Sequence, residues 1–237
     1  MVVAELFRYH PDVAERYPCI RAGLVHATGL NNGASQPELI VEYLAEQQAA
    51  LTRLADTPIA ELPSIAAWRR AFSQFGVKPT QYRAAAEALL RRLSKQGDIP
   101  SINTLVDMGN LISIRYAMPV AVFDQATIAP PTTVQFAAGD ERFTDLGSSE
   151  AIHPTPGEVV FVDQDDVVSA RRWCWRQSAQ SATGSTTVDA LVVIEGHHEQ
   201  AADEIEAALV DIAALLVRYQ PTCEATATRL SPDRPAW

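Results

Sequence analysis

The segment from Pro100 to about Tyr116 reads as a helix that is apolar almost all the way round, through Ile102, Leu105, Val106, Met108, Leu111, Ile112 and Ile114. Such a helix needs cover on every side, so the rest of the chain is expected to pack around it. Pro100-Ser101 opens it and Pro119 closes it. One polar line crosses the apolar surface: Asn103, Asp107 and Asn110, at i, i+4 and i+7. Buried Asp and Asn need hydrogen bonds or a wet cavity. The line is therefore either a ligand-facing stripe or a helix edge bonded to nearby backbone.

A second feature lies later in the chain. Val188 to Ile194 reads as a β-strand, rich in β-branched residues, with Gly184 before it and Gly196 after. Glu195 sits at its end, where a rigid element can aim a carboxylate at a ligand. Shortly before comes Arg171-Arg172-Trp173-Cys174-Trp175-Arg176-Gln177, with two Trp and three Arg in seven residues. Arg172, Trp173, Trp175, Arg176 and Gln177 are candidate substrate contacts, the indoles for stacking and the guanidiniums for phosphate. Alternatively, Trp173 and Trp175 share one strand face as core, and Glu195 forms a structural ion pair with an arginine.

With 237 residues the chain can bury one sizeable core. No apolar run approaches the roughly 20 residues that span a bilayer, and the N-terminus carries no basic segment followed by a long apolar one. Neither membrane nor secretory leader is expected, and the default location is cytoplasmic. Cys19, Cys174 and Cys223 are scattered, which speaks against a disulfide framework or a CxxC metal site. The common nucleotide, hydrolase and zinc motifs are missing, so no metal or cofactor is expected.

The net charge of -10 is unevenly spread. Between Ser64 and Gly97, Arg69, Arg70, Lys78, Arg83, Arg91, Arg92 and Lys95 face a single acid, Glu87. This is either a local positive surface for RNA or a solvated helix face.

Strands are expected at Val2–Arg8 and Cys19–Val25, and helices from Pro37 to before Thr57, from Ser64 to Gly76 and from Pro79 to Gly97. In the Pro79 helix, Arg83, Glu87, Arg91 and Lys95 form an outward i+4 ladder. Val120–Asp124 reads as a strand. Thr133–Ala137 and Arg142–Thr144 form a hairpin signal around Gly139-Asp140. Val159–Asp163 and Val167–Arg172 are paired strands. A long helix follows through Ile205, Leu209, Ile212 and Leu216, and the tail after Pro221 is expected to be loose. The class is α+β, a single domain with helices packed on a mixed, mainly antiparallel β-sheet.

Several motifs stand in a familiar order: Trp68-Arg69-Arg70-Ala71-Phe72, Phe75-Gly76-Val77-Lys78-Pro79, Tyr82-Arg83 and Glu87-Ala88-Leu89-Leu90-Arg91-Arg92. Ile99-Pro100-Ser101-Ile102-Asn103, Leu105-Val106-Asp107, Asn110, Arg115-Tyr116, Pro119, Trp173-Cys174-Trp175-Arg176-Gln177 and Glu195-Gly196 follow. Together they resemble the free-standing B3/B4 domain proteins, relatives of the B3/B4 region of the phenylalanyl-tRNA synthetase beta chain. The resemblance places a B3/B4-like core at 61–220, an N-terminal portion of the same domain at 1–60 and a tail at 221–237. In the synthetase this region is the editing domain, which hydrolyses tyrosine wrongly attached to tRNA. The resemblance thus implies a pocket for the aminoacyl 3′ end of tRNA, with no DNA partner and no ligase activity. It implies Glu195 and Asn110 as catalytic residues, converging on one cavity. Asp107 joins the Trp/Arg segment as a substrate contact, and Arg69, Arg70, Arg83, Arg91, Arg92 and Lys95 hold RNA. Where the synthetase has a Thr before the Asn and a His after the helix-ending Pro, this chain has Gly109 and Ala121. The other reading of the inherited pocket is a non-catalytic site for tRNA or a small amino-acid-like ligand.

Overall fold

The apolar strand ahead of Glu195 is buried along both faces, and cover on both faces requires three layers. The computed structural model describes residues 5–237. The chain runs β1 (Phe7–Tyr9), α1 (Pro11–Arg16), β2 (Arg21–Thr28), α2 (Pro37–Leu54), α3 (Pro63–Gln74), α4 (Ala85–Gln96) and α5 (Thr104–Tyr116). It continues with β3 (Val120–Asp124), β4 (Thr132–Phe136), β5 (Phe143–Thr144), β6 (Ala151–Ile152), β7 (Val159–Val162), β8 (Val168–Arg171) and β9 (Arg176–Gln177). β10 (Asp189–Gly196), α6 (Ala201–Tyr219) and β11 (Glu224–Leu230) complete it.

The middle layer is an antiparallel sheet ordered β11-β2-β10-β3. Alternation along β10 sends Ala190, Val192 and Ile194 into one core with α2, α4, α5 and α6. Leu191 and Val193 go to the other core, against a second sheet ordered β1-β4-β7-β8-β9. In that sheet β1 and β4 are parallel and the remaining neighbours antiparallel. Each fully buried Val, Leu or Ile is worth about 1.5–3 kcal/mol, so a two-faced apolar strand anchors both cores at once. α3 closes the side, placing Ile65 in the helical core and Trp68 and Phe72 in the intersheet core. α6 lies close on β2 because residue 23 is glycine: a Cβ there would come 2.7 Å from Ile205 Cγ2.

The α+β class holds, with the strands divided among separate sheets. α5 is buried as its pattern predicts, but it begins at Thr104, where the Asn103 side chain caps it by accepting from Val106 N–H at 3.0 Å. The helix expected from Pro79 starts only at Ala85; it ends as expected at Gly97, whose φ of +86 serves the left-handed cap. The expected hairpin does not form, since β4 pairs with β1 and β7 while β5 pairs with β6. The strand expected from Val2 is β1 where it is described, and residues 2–4 lie outside the described residues. The tail is not loose. β11 pairs with β2 from Ala22 to Thr28, and the Trp237 carbonyl accepts from the backbone of Leu6 and Phe7. Its alternating Thr226 and Thr228 suit an edge strand open to solvent.

Candidate functional site

Glu195 is the penultimate residue of β10, paired with Ala22. Its side chain follows Leu191 and Val193 into the space between the sheets. It is only 2% exposed, and no Arg, Lys or His forms an ion pair with it among the described residues. Two neutral donors hold it: the Tyr9 hydroxyl at 2.5 Å and Trp173 Nε1 at 3.0 Å, both on Oε1. Burial pushes its carboxyl up to about 7, against the pull of those two donors. Beside it opens a cavity of about 70 Å³ walled by Ala121, Phe161, Cys174 and Val193. That is room for a few waters or one small group. Trp175, Arg176 and Gln177 line the same cavity.

The Trp/Arg segment does not behave as one surface. Arg172 and Trp173 are both left-handed, with φ of 44 and 62. Such backbone costs about 1–2 kcal/mol per residue and persists only where its surroundings fix it. Here it turns the Trp173 indole fully inward, 4.8 Å from the Tyr17 ring and 5.3 Å from the Trp68 ring. Trp173 is therefore core and a Glu195 donor, not a free stacking platform. Trp175 stays half-buried at the rim, edge-on to Tyr82, with the Arg172 and Arg176 guanidiniums over its ring. Arg172 also lies over Tyr82 and 3.7 Å from Glu158, which Arg171 grips with two bonds of 3.0 Å. Arg176 pairs with Asp145. Gln177 Nε2 donates to the Val122 and Ser181 carbonyls, each at 2.9 Å.

Asn110 is not brought to Glu195. α5 packs in the helical core, on the opposite face of the β10 sheet, and Asn110 lies beside Tyr43 of α2. Gly109 faces β3, where a Cβ would sit 3.0 Å from Val122 Cγ2. Asp107 is 0% exposed, and its carboxylate accepts from Ser35 Oγ, Ser101 Oγ and the Ile102 N–H. Those bonds tie the entry of α5 to two loops, leaving Asp107 no role in a pocket. On the polar line of α5, Asn103 is thus a cap and Asp107 an anchor.

Residues 67–218, well over half of the chain, match the B3/4 domain family. The chain belongs to the B3/4 domain family. Over 87 residues it is 28% identical to the phenylalanine–tRNA ligase beta subunit of Shewanella oneidensis, a match covering 37% of this chain and 11% of that protein. It is also similar to a solved N-terminal fragment of the phenylalanyl-tRNA synthetase beta-subunit of Pyrococcus horikoshii. That likeness has a TM-score of 0.48 at 10% identity and covers 94% of this chain and 53% of the other. The chain thus spans only a small part of the ligase subunit and about half of the solved fragment.

In this B3/4 domain the basic helices are organised inward. Glu87 is 0% exposed and accepts from Arg69 at 2.7 Å and Arg91 at 2.8 Å, with Arg83 at 3.8 Å. It was expected on an outward ladder; it is instead the hub that three arginines neutralise. Arg69, Arg83 and Arg91 are thus engaged, while Arg92 and Lys95 remain exposed on α4. Arg70 points elsewhere, towards His197. Sequence reasoning missed Tyr9, which bonds Glu195, and Cys174, which lines the cavity. Cys174 is flanked by the conspicuous tryptophans, and its thiol is pushed well up by burial and by Glu195. Tyr9 comes from 186 residues away and carries no local signal.

Proposed function

We propose that this B3/4 domain hydrolyses amino acids esterified to the 3′ end of tRNA, with Glu195 as the general base. One observation carries the reading: a carboxyl without a cationic partner, pushed to about 7, opens on a cavity sized for a water and a small group. Such a base is half ionised near neutral pH, where general-base catalysis is most effective. In its ionised form Glu195 takes a proton from a water as that water's oxygen attacks the ester carbonyl. The tetrahedral centre then collapses, the bond to the ribose oxygen breaks, and that oxygen leaves with the proton that Glu195 gives back. Tyr9 and Trp173 fix the carboxylate through Oε1, leaving Oε2 without a donor among the described residues. Trp175 at the rim offers a ring for the terminal base, and Arg176 a charge for its phosphate. The name of its sequence relative, a phenylalanine–tRNA ligase subunit, supports tRNA as the substrate class. We take the cytoplasm, where that substrate class is met, as its place of work. No helix among the described residues is long and apolar enough to cross a membrane.

A second reading is favoured by the position of Asn110, across the sheet from Glu195, and by the engagement of Gln177 with two carbonyls. With no free side-chain amide lining it among the described residues to stabilise an oxyanion, the cavity would bind the α-ammonium of an amino-acid-like ligand without turning it over. A panel of mischarged tRNAs incubated with the purified protein and with Glu195→Gln separates the two. Amino-acid release by the native protein, lost in the variant, supports hydrolysis. Binding without release supports the second reading, and release undiminished in the variant overturns the role of Glu195.

A further inference from the structure

We propose that the groove between the α1–β2 turn and α3 binds a phosphate group through Arg16 and Arg70, with Arg21 in the adjoining hollow. This is a site distinct from the Glu195 cavity and does not depend on any hydrolysis there. The groove has a volume of about 360 Å³. Cys19 and His197 line both it and a neighbouring hollow of about 330 Å³ that Arg21 enters.

Most arginines of this protein lie against a carboxylate. Arg69, Arg83, Arg91, Arg171, Arg172 and Arg176 each lie against a carboxylate. Arg16, Arg21 and Arg70 have no carboxylate within ion-pair distance among the described residues. Arg16 spends one N–H on the Gln74 carbonyl, and Arg21 uses NH1 on the Pro18 and Ile20 carbonyls. A guanidinium has five donors, so most remain free. The main groove is lined by no acid at all, whereas Glu199 shares the neighbouring hollow with Arg21. An anion is therefore drawn to the Arg16–Arg70 end. Arg92, Arg142 and Arg234 also lack a carboxylate partner among the described residues, but Arg16 and Arg70 come together on one groove.

The floor has a second property of a binding site. His197 Nε2 is buried without a hydrogen-bond partner among the described residues, and the buried Tyr17 hydroxyl lies against Arg16. The imidazole is packed edge-on against Trp68 at 4.5 Å and Trp173 at 4.9 Å. Burial, then His198 and Arg70, push His197 down to about 3, so it stays neutral and adds no charge of its own. The cationic end is thus supplied by side chains that can move onto a ligand, over an uncharged polar floor. Their planar forks suit phosphate oxygens taken two at a time.

Cys19, the exposed cysteine on the rim, gives the readout. Alkylation of Cys19 by iodoacetamide is followed by mass spectrometry, together with Tm, in the presence of inorganic phosphate, 5′-AMP or tRNA. The same is done on the Arg16→Gln/Arg70→Gln double variant. Both residues are exposed, and circular dichroism checks that the variant is folded. At ten times its Kd, a bound probe is expected to slow alkylation about tenfold and to raise Tm. Both effects should fade with added salt and be lost in the double variant. Protection by phosphate or 5′-AMP assigns the site to a free phosphorylated ligand; protection by tRNA alone assigns it to an RNA backbone. The proposal is overturned if no probe changes either readout, or if the double variant responds as the native protein does.

Discussion

Two buried glutamates, Glu87 and Glu195, make instructive opposites. Both are almost inaccessible to water. Glu87 is surrounded by three guanidiniums, two of them at 2.7 and 2.8 Å. Glu195 has only a phenol and an indole. A carboxylate matched by cations is a joint: its charge is spent on holding α3 to α4. One held by neutral donors keeps an unsettled proton, and a cavity beside it gives that proton somewhere to go. Burial by itself therefore does not mark a candidate acid. Nor does burial without a counter-charge, since Asp107 is held by neutral donors alone among the described residues; the cavity beside Glu195 sets it apart.

The sharpest way to break this contrast is by activity. Glu195→Gln keeps the shape and both incoming hydrogen bonds, and should lower release of amino acid from mischarged tRNA by about 10²-fold or more. Glu87→Gln should leave that rate within about twofold. In the native protein the rate should rise with pH through about 7, as Glu195 ionises.

Stability against pH comes next. Glu195 is raised from 4.5 to about 7, so the folded state holds a proton that the unfolded chain has released. The stability it contributes is full below about 4.5 and is lost as pH climbs through about 7. The loss amounts to about 3 kcal/mol. Urea titrations at pH 5 and pH 8 should show this fall in the native protein and not in Glu195→Gln. A native curve parallel to that of the variant would refute the unsettled proton.

Glu87→Ala should cost about 2 kcal/mol by the same titration. That is less than the usual loss from a broken buried pair, because its arginine partners stay 26–41% exposed. At the small end, Arg176→Ala removes a half-exposed pair with Asp145 and should change stability by about 0.5 kcal/mol or less. If Arg176 meets the terminal phosphate, the same variant should nevertheless weaken tRNA binding measurably.

What could be read from the residues follows the range of the forces involved. α5, α6 and β10 were legible because their apolar period is local and strong. β11 was not, because its residues 224–227 are all exposed and its reason for being a strand is β2, some 200 residues earlier. Glu195 was legible as a candidate from its place at a strand end. Its partners were not, since Tyr9 arrives from the far end of the chain and Trp173 turns inward on a left-handed backbone that no spacing rule anticipates. Glu87 misled because an i+4 ladder of Arg and Glu normally faces water; the deciding neighbour, Arg69, comes from another helix. The expected convergence of Asn110 with Glu195 failed because a whole sheet stands between them.

The wall made by Trp173, Trp68 and His197 touches Glu195 on one side and the arginine groove on the other. Light absorbed there reports on both chambers: the emission of these indoles should change once as Glu195 gains or loses its proton, and again as an anion settles beside Arg70. The molecule carries its own optical probe, already in place and needing no dye.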